Sequence, residues 1–382
     1  MMYPFLPVFI TGVLGAPVVA VGVAEGLADA TAAGMKLVSG RLASADRRRP
    51  WIAAGYGLAA VGKCVVALAL VWPVVLLGRV VDRFGKGIRG VPRDALIADA
   101  VPAQDRGRAF GFHRALDTAG AVVGPLVGLG MYQLMGRQIR PVLLLALVPA
   151  ILSVALVSLV RESNSGGVPQ RRLAPAAVAP RVALPAGFWR AMVPIGLFGL
   201  VNSTDALLLL RAHQIGLDAT ALVLVYVAYN AVYAVLAYPA GRVADRISPR
   251  IVFATGLVVF AITYVGLGRA TTPAAVWVLL PMYGIYAALT DGVSRAWVAR
   301  LVETEQRTWA LGVHGAITGL SVLIAGLWSG LAWNGDGRLP LTVSGAIALL
   351  VAVWLFALSR RGSPLSRCSS TRPAARLRPA RW

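Results

Sequence analysis

Charged side chains interrupt an apolar stretch between residues 73 and 98 of this 382-residue chain. They are Arg79, Asp82, Arg83, Lys86, Arg89 and Arg93. On a helix, with 100° between successive residues, the six fall within an arc of about 120°. A charge at the centre of a membrane helix costs about 2.5 to 3.5 kcal/mol, so this face must border protein or a water-filled interior.

Acidic and basic groups on this segment and on two neighbouring apolar segments could pair with the arc or exchange protons. The candidates for proton coupling are Glu25, Asp29, Asp82 and Asp117; the predicted charge network also includes Lys36, Asp94, His113 and Arg114. Two interpretations stay open. The groups form a structural ion-pair network, or the carboxylates nearer the midplane take part in proton coupling or substrate binding.

Composition identifies the elements that carry these residues. The chain is 58% hydrophobic, 14% charged and has a mean hydropathy of +0.72, whereas soluble domains are about 25% charged. Twelve apolar runs have the length of membrane helices. They cover residues 1–16, 19–43, 51–70, 73–98, 108–132, 141–160, 188–210, 219–241, 250–268, 273–299, 309–332 and 340–359. We therefore predict an all-α integral membrane protein.

The net charge of +21 follows the loops rather than a single basic face. Basic residues concentrate in alternate loops, at 41–50, 106–108, 161–190, 242–250, 300–307 and after residue 359. This pattern places those loops and both termini in the cytoplasm and argues against a nucleic-acid partner. The sequence also has no GxxxxGK[ST] loop for ATP.

An internal repeat with an offset of 201 residues divides the chain in two. The matched pairs include Gly40 with Gly241, Arg106 with Arg307, Gly111 with Gly312, and His113 with His314. The repeat predicts a six-helix bundle over residues 1–160, a cytoplasmic linker over 161–187, a second six-helix bundle over 188–359 and a disordered basic tail over 360–382.

Two motifs in this frame resemble those of the major facilitator superfamily. The GxxxGPxxG pattern of Gly120, Gly124, Pro125 and Gly128 resembles motif C of its drug:proton antiporters, and Gly241, Asp245, Arg246 and Arg250 resemble motif A. Motif A implies a gate in which the Asp pairs with basic residues and a neighbouring helix end. The first-half copy departs from it: after Gly40, Ser44 occupies the Asp position, so a gate there requires Asp46 to substitute.

A closer resemblance, to a bacterial branch described as efflux transporters, rests on segments such as 85–89, 92–99, 106–111 and 202–211. Together with motif C, which is associated with export rather than uptake, it implies a monomeric inner-membrane protein that exports a small molecule by proton antiport. The proton gradient is then the energy source, membrane lipid and protons are the other partners, and no catalytic residue, cofactor or metal is expected. A proton-linked importer, a non-transporting sensor and an inactive truncated paralogue stay open.

Polar residues within the second half are expected to contribute to the substrate cavity. They are Asn202, Asp205, Tyr226, Asn230, Tyr283, Thr290 and Asp291. Core packing is the alternative for the tyrosines. The first helix gives a separate expectation: with a start at Met1 it is short for a full crossing, and the resembling branch begins further upstream with an Asp and a Ser-Ser-Glu stretch. We expect either a start assigned too late or loss of part of that helix.

Overall fold

The computed structural model of the protein describes Leu6 and residues 9–16, 18–43, 48–136, 138–159, 183–333 and 336–361. A short π-helix, Phe9–Val13, comes first. The first half continues with α1 (Val18–Leu42), α2 (Arg48–Leu68), α3 (Trp72–Asp99), α4 (Arg106–Leu134), α5 (Ile139–Leu145) and α6 (Leu147–Leu159). The second half contains α7 (Ala186–Gly199), α8 (Asp205–Gln214), α9 (Ala219–Arg246), α10 (Pro249–Arg269), α11 (Pro273–Arg300), α12 (Thr304–Leu331) and α13 (Arg338–Arg361).

Eight helical segments of the described chain are long and apolar enough to cross a membrane. Their outward residues are large and apolar, such as Val235, Leu134 and Leu331, which suits contact with lipid tails rather than water. Helices α1 and α3 carry more charge, and α3 turns it inward, as the arc of residues in the sequence predicts.

Three predicted boundaries are corrected by the structure. The run 188–210 is two helices, because the chain leaves helical geometry after Gly199 and restarts at Asp205. The run 141–160 is likewise interrupted at Ala146. The predicted loop 241–250 is helical as far as Arg246, so most of the motif A residues lie on the last turns of α9.

Packing within the two halves follows the repeat. Helix α1 packs on α3 as α9 packs on α11, and α2 packs on α3 as α10 packs on α11. Between the halves, α1 contacts α12 and α9 contacts α4. These are also repeat-related pairs, so the described helices show the approximate twofold symmetry that a duplicated six-helix unit predicts.

The two halves meet closely at the end that carries residues 41–43, 106–108, 242–250 and 300–307, called the basic end below. A methyl group added at Gly241 would overlap the carbonyl oxygen of Gly107, and one added at Gly40 would overlap the backbone of Gly312. Glycine allows this approach because it has no Cβ. The halves are therefore in backbone contact at the basic end.

Candidate functional site

A cavity of about 1150 Å³ lies at membrane depth, mostly within the first half. Helices α2, α3, α4 and α6 form most of its wall, and α1, α11 and α12 complete it nearer the basic end. All six residues of the predicted arc on α3 line it, together with Lys36, Asp94, Arg114 and Asp117. The sequence-based expectation that these charges face an interior space is confirmed.

The end of the cavity farther from the basic end holds a three-residue cluster. Lys63 of α2 donates to Asp82 at 2.7 Å, and Arg79 lies 3.7 Å from the other carboxylate oxygen. Asp82 is buried, and two cations compensate its charge. The sequence analysis did not single out Lys63, although its charge within an apolar run was the available signal.

The middle of the cavity contains cations that differ in their partners. Arg83 pairs with Asp29 of α1 at 3.2 Å. Arg89 stacks on the Tyr56 ring, with 4.2 Å between the guanidinium carbon and the ring centroid. Lys86 makes no hydrogen bond or ion pair with any residue that the structure describes. Glu25 lies on α1, but its side chain is outside the described residues.

Near the basic end, charged groups of both halves meet. Asp94 of α3 pairs with Arg93 at 3.0 Å and with Arg295 of α11 at 3.5 Å. Arg295 was also missed in the sequence, because its position at the edge of a predicted helix resembled a loop charge. His113 lies about two turns inside α4, which begins at Arg106.

Arg114 of α4 is the centre of a second contact between the halves. It donates to Asp117 of its own helix at 2.9 Å and lies 3.4 Å from Asp291 of α11. Tyr233 of α9 donates to the same Asp291 carboxylate at 2.6 Å. Asp291 was predicted as a cavity residue of the second half; here it joins the two halves.

The expectation that second-half polar groups line the cavity is not met in this conformation. Asp205 accepts hydrogen bonds from Tyr229 at 2.8 Å and from Tyr283 at 3.0 Å. None of the seven residues predicted for the substrate cavity belongs to the cavity wall. They are Asn202, Asp205, Tyr226, Asn230, Tyr283, Thr290 and Asp291. Asn230 and Thr290 donate to backbone carbonyls of their own helices. Local hydrogen bonds thus satisfy Asp205, Asn230 and Thr290, which the sequence left free for a ligand.

The motif A carboxylate lies at the junction of the halves. Asp245, at the end of α9, accepts hydrogen bonds from the backbone amides of Gly107 and Arg108 at 2.6 and 2.7 Å. These amides open α4, where the helix dipole favours an anion. Arg300 of α11 pairs with the same carboxylate. Of the other motif residues, Arg250 lies over the Trp297 ring at 5.9 Å, and Arg246 is exposed.

At the corresponding junction made by the first half, the ion pairs are formed by an aspartate outside the motif. Asp99, at the end of α3, pairs with Arg48 of α2 and with Arg307 of α12. Arg48 also donates to Thr308 at 2.9 Å. Asp46, the substitute considered from the sequence, lies outside the described residues. The contact that joins α3 to α12 is therefore made by Asp99.

Arg106 lies where the two halves meet. Its guanidinium donates to the carbonyls of Ala98 and Ala299 at 3.1 and 2.7 Å. These two alanines are 201 residues apart and so occupy equivalent positions of the repeat. One side chain thus joins the ends of α3 and α11.

The motif C stripe on α4 has an unexpected environment. A methyl group added at Gly120 would meet nothing within 4 Å, so this glycine mediates no close helix contact here. Gly120 and Gly124 instead line the cavity. Pro125 lies within α4, and Gly128 is buried.

Two bundles in contact at one end, with a polar cavity at membrane depth, are the architecture of a secondary transporter. The chain belongs to the Major Facilitator Superfamily, whose family model matches residues 1–211 and 206–380. Its fold is accordingly that of twelve membrane helices in two pseudo-symmetric six-helix bundles, and the protein crosses the membrane several times.

Individual relatives agree with this assignment. An uncharacterized MFS-type transporter of Methanocaldococcus jannaschii is 27% identical over 93% of this chain and 89% of its own length. The multidrug resistance protein MdtH of Cronobacter sakazakii is 33% identical, over 35% of this chain and 33% of its own. The crystal structure of the human organic anion transporter MFSD10 superposes with a TM-score of 0.74 at 16% identity, covering 91% of this chain and 88% of that one.

Proposed function

We propose that this protein exports a small molecule in exchange for protons, by alternating access of its two halves. The observation that carries the proposal is the contact of Arg114 in the first half with Asp291 in the second, because a proton can neutralise the carboxylate that helps to close the basic end. In this proposal the chain lies in the bacterial inner membrane, with the basic end and both termini in the cytoplasm.

Proton binding can change the balance between the conformations through this contact. A proton on Asp291 removes its attraction to Arg114 and weakens the hydrogen bond from Tyr233. Hydrogen bonds to charged groups contribute about 1.5 to 3 kcal/mol. Coupling free energies between sites are typically about 1 to 3 kcal/mol, so the loss of one such bond is of the required size. Asp117, on the other side of Arg114, offers a second proton acceptor facing the cavity.

Two observations support export as the direction. The partial relative MdtH carries the name of a multidrug resistance protein. The Gly120, Gly124, Pro125 and Gly128 pattern resembles the motif associated with antiporters, and two of its glycines face the cavity. The MdtH match spans about one third of each chain, so it supports the proposal without determining the substrate.

Everted membrane vesicles test the proposal. Vesicles with and without the protein are energised by respiration and offered three fluorescent probes: ethidium as a cation, Nile red as a neutral compound and carboxyfluorescein as an anion. We expect protein-dependent accumulation of at least one probe, abolished by a protonophore. Accumulation that ignores the protonophore would reject antiport, and accumulation only in right-side-out vesicles would indicate import.

Two variants test the coupling residues. Asp117→Asn and Asp291→Asn should lower proton-driven accumulation at least tenfold while leaving exchange of probe across de-energised vesicles measurable. Asp336→Asn is the matched control, because Asp336 also pairs with an arginine, at 3.1 Å, but at an exposed site far from the cavity. Unchanged accumulation in both cavity variants would assign the two carboxylates a structural role.

A further inference from the structure

The charges on the cavity wall do not balance. Nine lysine and arginine side chains line the cavity, against three aspartates. Asp29 and Asp291 are not lining residues but each contacts one of these cations, which still leaves a clear positive excess among the described residues. A cleft with one sign of charge between low-dielectric walls concentrates ions of the opposite sign.

The excess is concentrated at three side chains. Lys36 reaches only the carbonyl oxygen of Gly315, at 3.4 Å. Arg89 reaches only the carbonyl of Gly55, at 3.4 Å, and the Tyr56 ring. Lys86 has no hydrogen bond or ion pair within the described part of the chain. None of the three has a described carboxylate within ion-pair distance, so each can accept an anionic ligand without breaking an existing pair.

The choice of lysine at this cavity is notable in the sequence. The whole chain contains three lysines, Lys36, Lys63 and Lys86, and every other basic residue is arginine. All three lysines line this cavity. An ammonium is a compact point charge on a flexible stem, with three donors that can follow a mobile partner. Lysines at the cavity therefore suit a ligand that binds and leaves.

Part of the cavity wall is apolar. Val123 and Val127 of α4, Leu145 of α5, and Val148 and Pro149 of α6 line it. Cavities that bind small organic molecules are typically about 300 to 1,000 Å³ and combine such apolar surfaces with a few polar anchors. The space is therefore suited to an organic molecule with an apolar body rather than to an inorganic ion.

We infer that the transported substrate is an amphiphilic organic anion, carrying a carboxylate or a phosphate. Its anionic group binds Lys86, with Lys36 and Arg89 nearby, and its apolar body lies along α4 and α6. That the bound anion is a transported substrate rests on the proposed function, whereas its binding in the cavity requires no transport. It also accounts for the unpaired cations, since an uncompensated charge at this depth costs several kcal/mol and a bound anion reduces that cost.

Binding to the purified full chain tests this inference directly. The probes are 2-naphthyl phosphate and 2-naphthoate, with 2-naphthamide and 2-naphthylmethylammonium as neutral and cationic analogues of the same ring. We expect saturable binding of the two anions by titration calorimetry, and no binding of the other two at tenfold higher concentration. Equal binding of the amide, stronger binding of the ammonium, or no binding of either anion at millimolar concentration would overturn it.

Lysine chemistry gives a second readout at the same site. Sulfosuccinimidyl acetate modifies lysine amines, and mass spectrometry reports each of the three positions separately. We expect 2-naphthyl phosphate to protect Lys86 and Lys36 more than Lys63, which is already paired with Asp82 at 2.7 Å. Equal modification with and without the probe would contradict the assignment of these amines.

Substitutions distinguish the loss of a positive charge from the loss of the folded structure. Lys86→Gln should weaken anion binding about tenfold to hundredfold, Lys86→Arg should restore much of it, and Arg269→Gln, at an exposed arginine of α10, should change nothing. If Lys86→Gln does not fold, Lys36→Gln provides the same comparison. Undiminished anion binding in a folded variant of Lys86 and Lys36 together would overturn the inference.

Two further experiments test whether the cations bind a lipid headgroup and whether the bound anion is transported. In nanodiscs, phosphatidylglycerol should leave anion binding intact; complete displacement by this lipid would assign the cations to a lipid headgroup and overturn the inference. Anion binding without flux in proteoliposomes would refute the proposed transport and leave the site standing. Proton-driven flux of the ammonium analogue alone would support transport and refute the anionic substrate.

Discussion

Replacing Asp245 by asparagine should open the basic end. This carboxylate accepts hydrogen bonds from the amides of Gly107 and Arg108 at the start of α4, and pairs with Arg300 of α11. Helix α9 belongs to the second half and α4 to the first. The two hydrogen bonds from the backbone amides therefore exist only while the halves are in contact. Asparagine keeps the size of the side chain but removes its charge and one acceptor oxygen.

The size of the effect follows from these contacts. Hydrogen bonds to a charged group contribute about 1.5 to 3 kcal/mol each, and neutral ones about 1 kcal/mol. Two charged bonds are replaced by one neutral bond, which costs the closed form about 2 to 4 kcal/mol, allowing for the remaining helix-dipole interaction. At 1.4 kcal/mol per factor of ten, the ratio of closed to open molecules falls about 30-fold to 700-fold.

Pulsed electron resonance distances measure that ratio. Spin labels at Pro50 of α2 and Glu305 of α12 report the separation of the halves at the basic end, after Cys64 and Cys368 are replaced by alanine. We expect one short distance in the unsubstituted chain and a dominant longer distance in the Asp245→Asn variant, measured in nanodiscs at a fixed pH.

Asp218→Asn is the matched control for this experiment. Asp218 caps the other end of the same helix α9, where it accepts a hydrogen bond from the Ala221 amide at 2.8 Å. The substitution loses the same charge but affects no contact between the halves. An unchanged distance distribution in Asp245→Asn, or an equal change in Asp218→Asn, would refute the view that Asp245 holds the halves together.

Two further predictions concern packing and the second-half cluster. Gly241→Ala should disfavour the closed form, because its methyl group would overlap the Gly107 carbonyl. Gly34→Ala is the control and should have no such effect, because the space around Gly34 is open. The same spin-label distances measure both variants. Tyr229→Phe should lower the thermal unfolding midpoint, since Asp205 loses a 2.8 Å hydrogen bond worth about 1.5 to 3 kcal/mol. A midpoint equal to that of the unsubstituted chain would show that water replaces the hydroxyl.

Periodicity and the repeat predicted the helical architecture well, because both reflect constraints that act along the chain. A membrane helix needs an apolar run of fixed length, and inward charges need a single face. The break after Gly199 was not predictable this way. Some of residues 200–204 are as apolar as the flanking helices, so periodicity does not mark the break. Only the tertiary hydrogen bonds that Asp205 accepts show why a new helix begins there.

The candidate site was predictable in its members more than in its pairings. A carboxylate can pair with any cation within reach, so the sequence could not show that Asp291 faces Arg114 across the halves. Nor could it show that Asp99 meets Arg307. Lys63 was missed although its charge lies well inside an apolar run, and Arg295 was missed because a charge near a predicted helix end resembles a loop residue until the packing is known.

The position of Arg106 has a consequence for how a duplicated protein diverges. It donates to Ala98 and Ala299, equivalent carbonyls of the two repeats. Its own equivalent, Arg307, cannot occupy the same space, and pairs with Asp99 instead. A side chain on a twofold axis can occupy it only once, so two copies that keep the same residue type, as Arg106 and Arg307 do, must take different partners. Different contacts near the axis are then a geometric requirement of fusing two like halves into one chain, independent of what the protein carries.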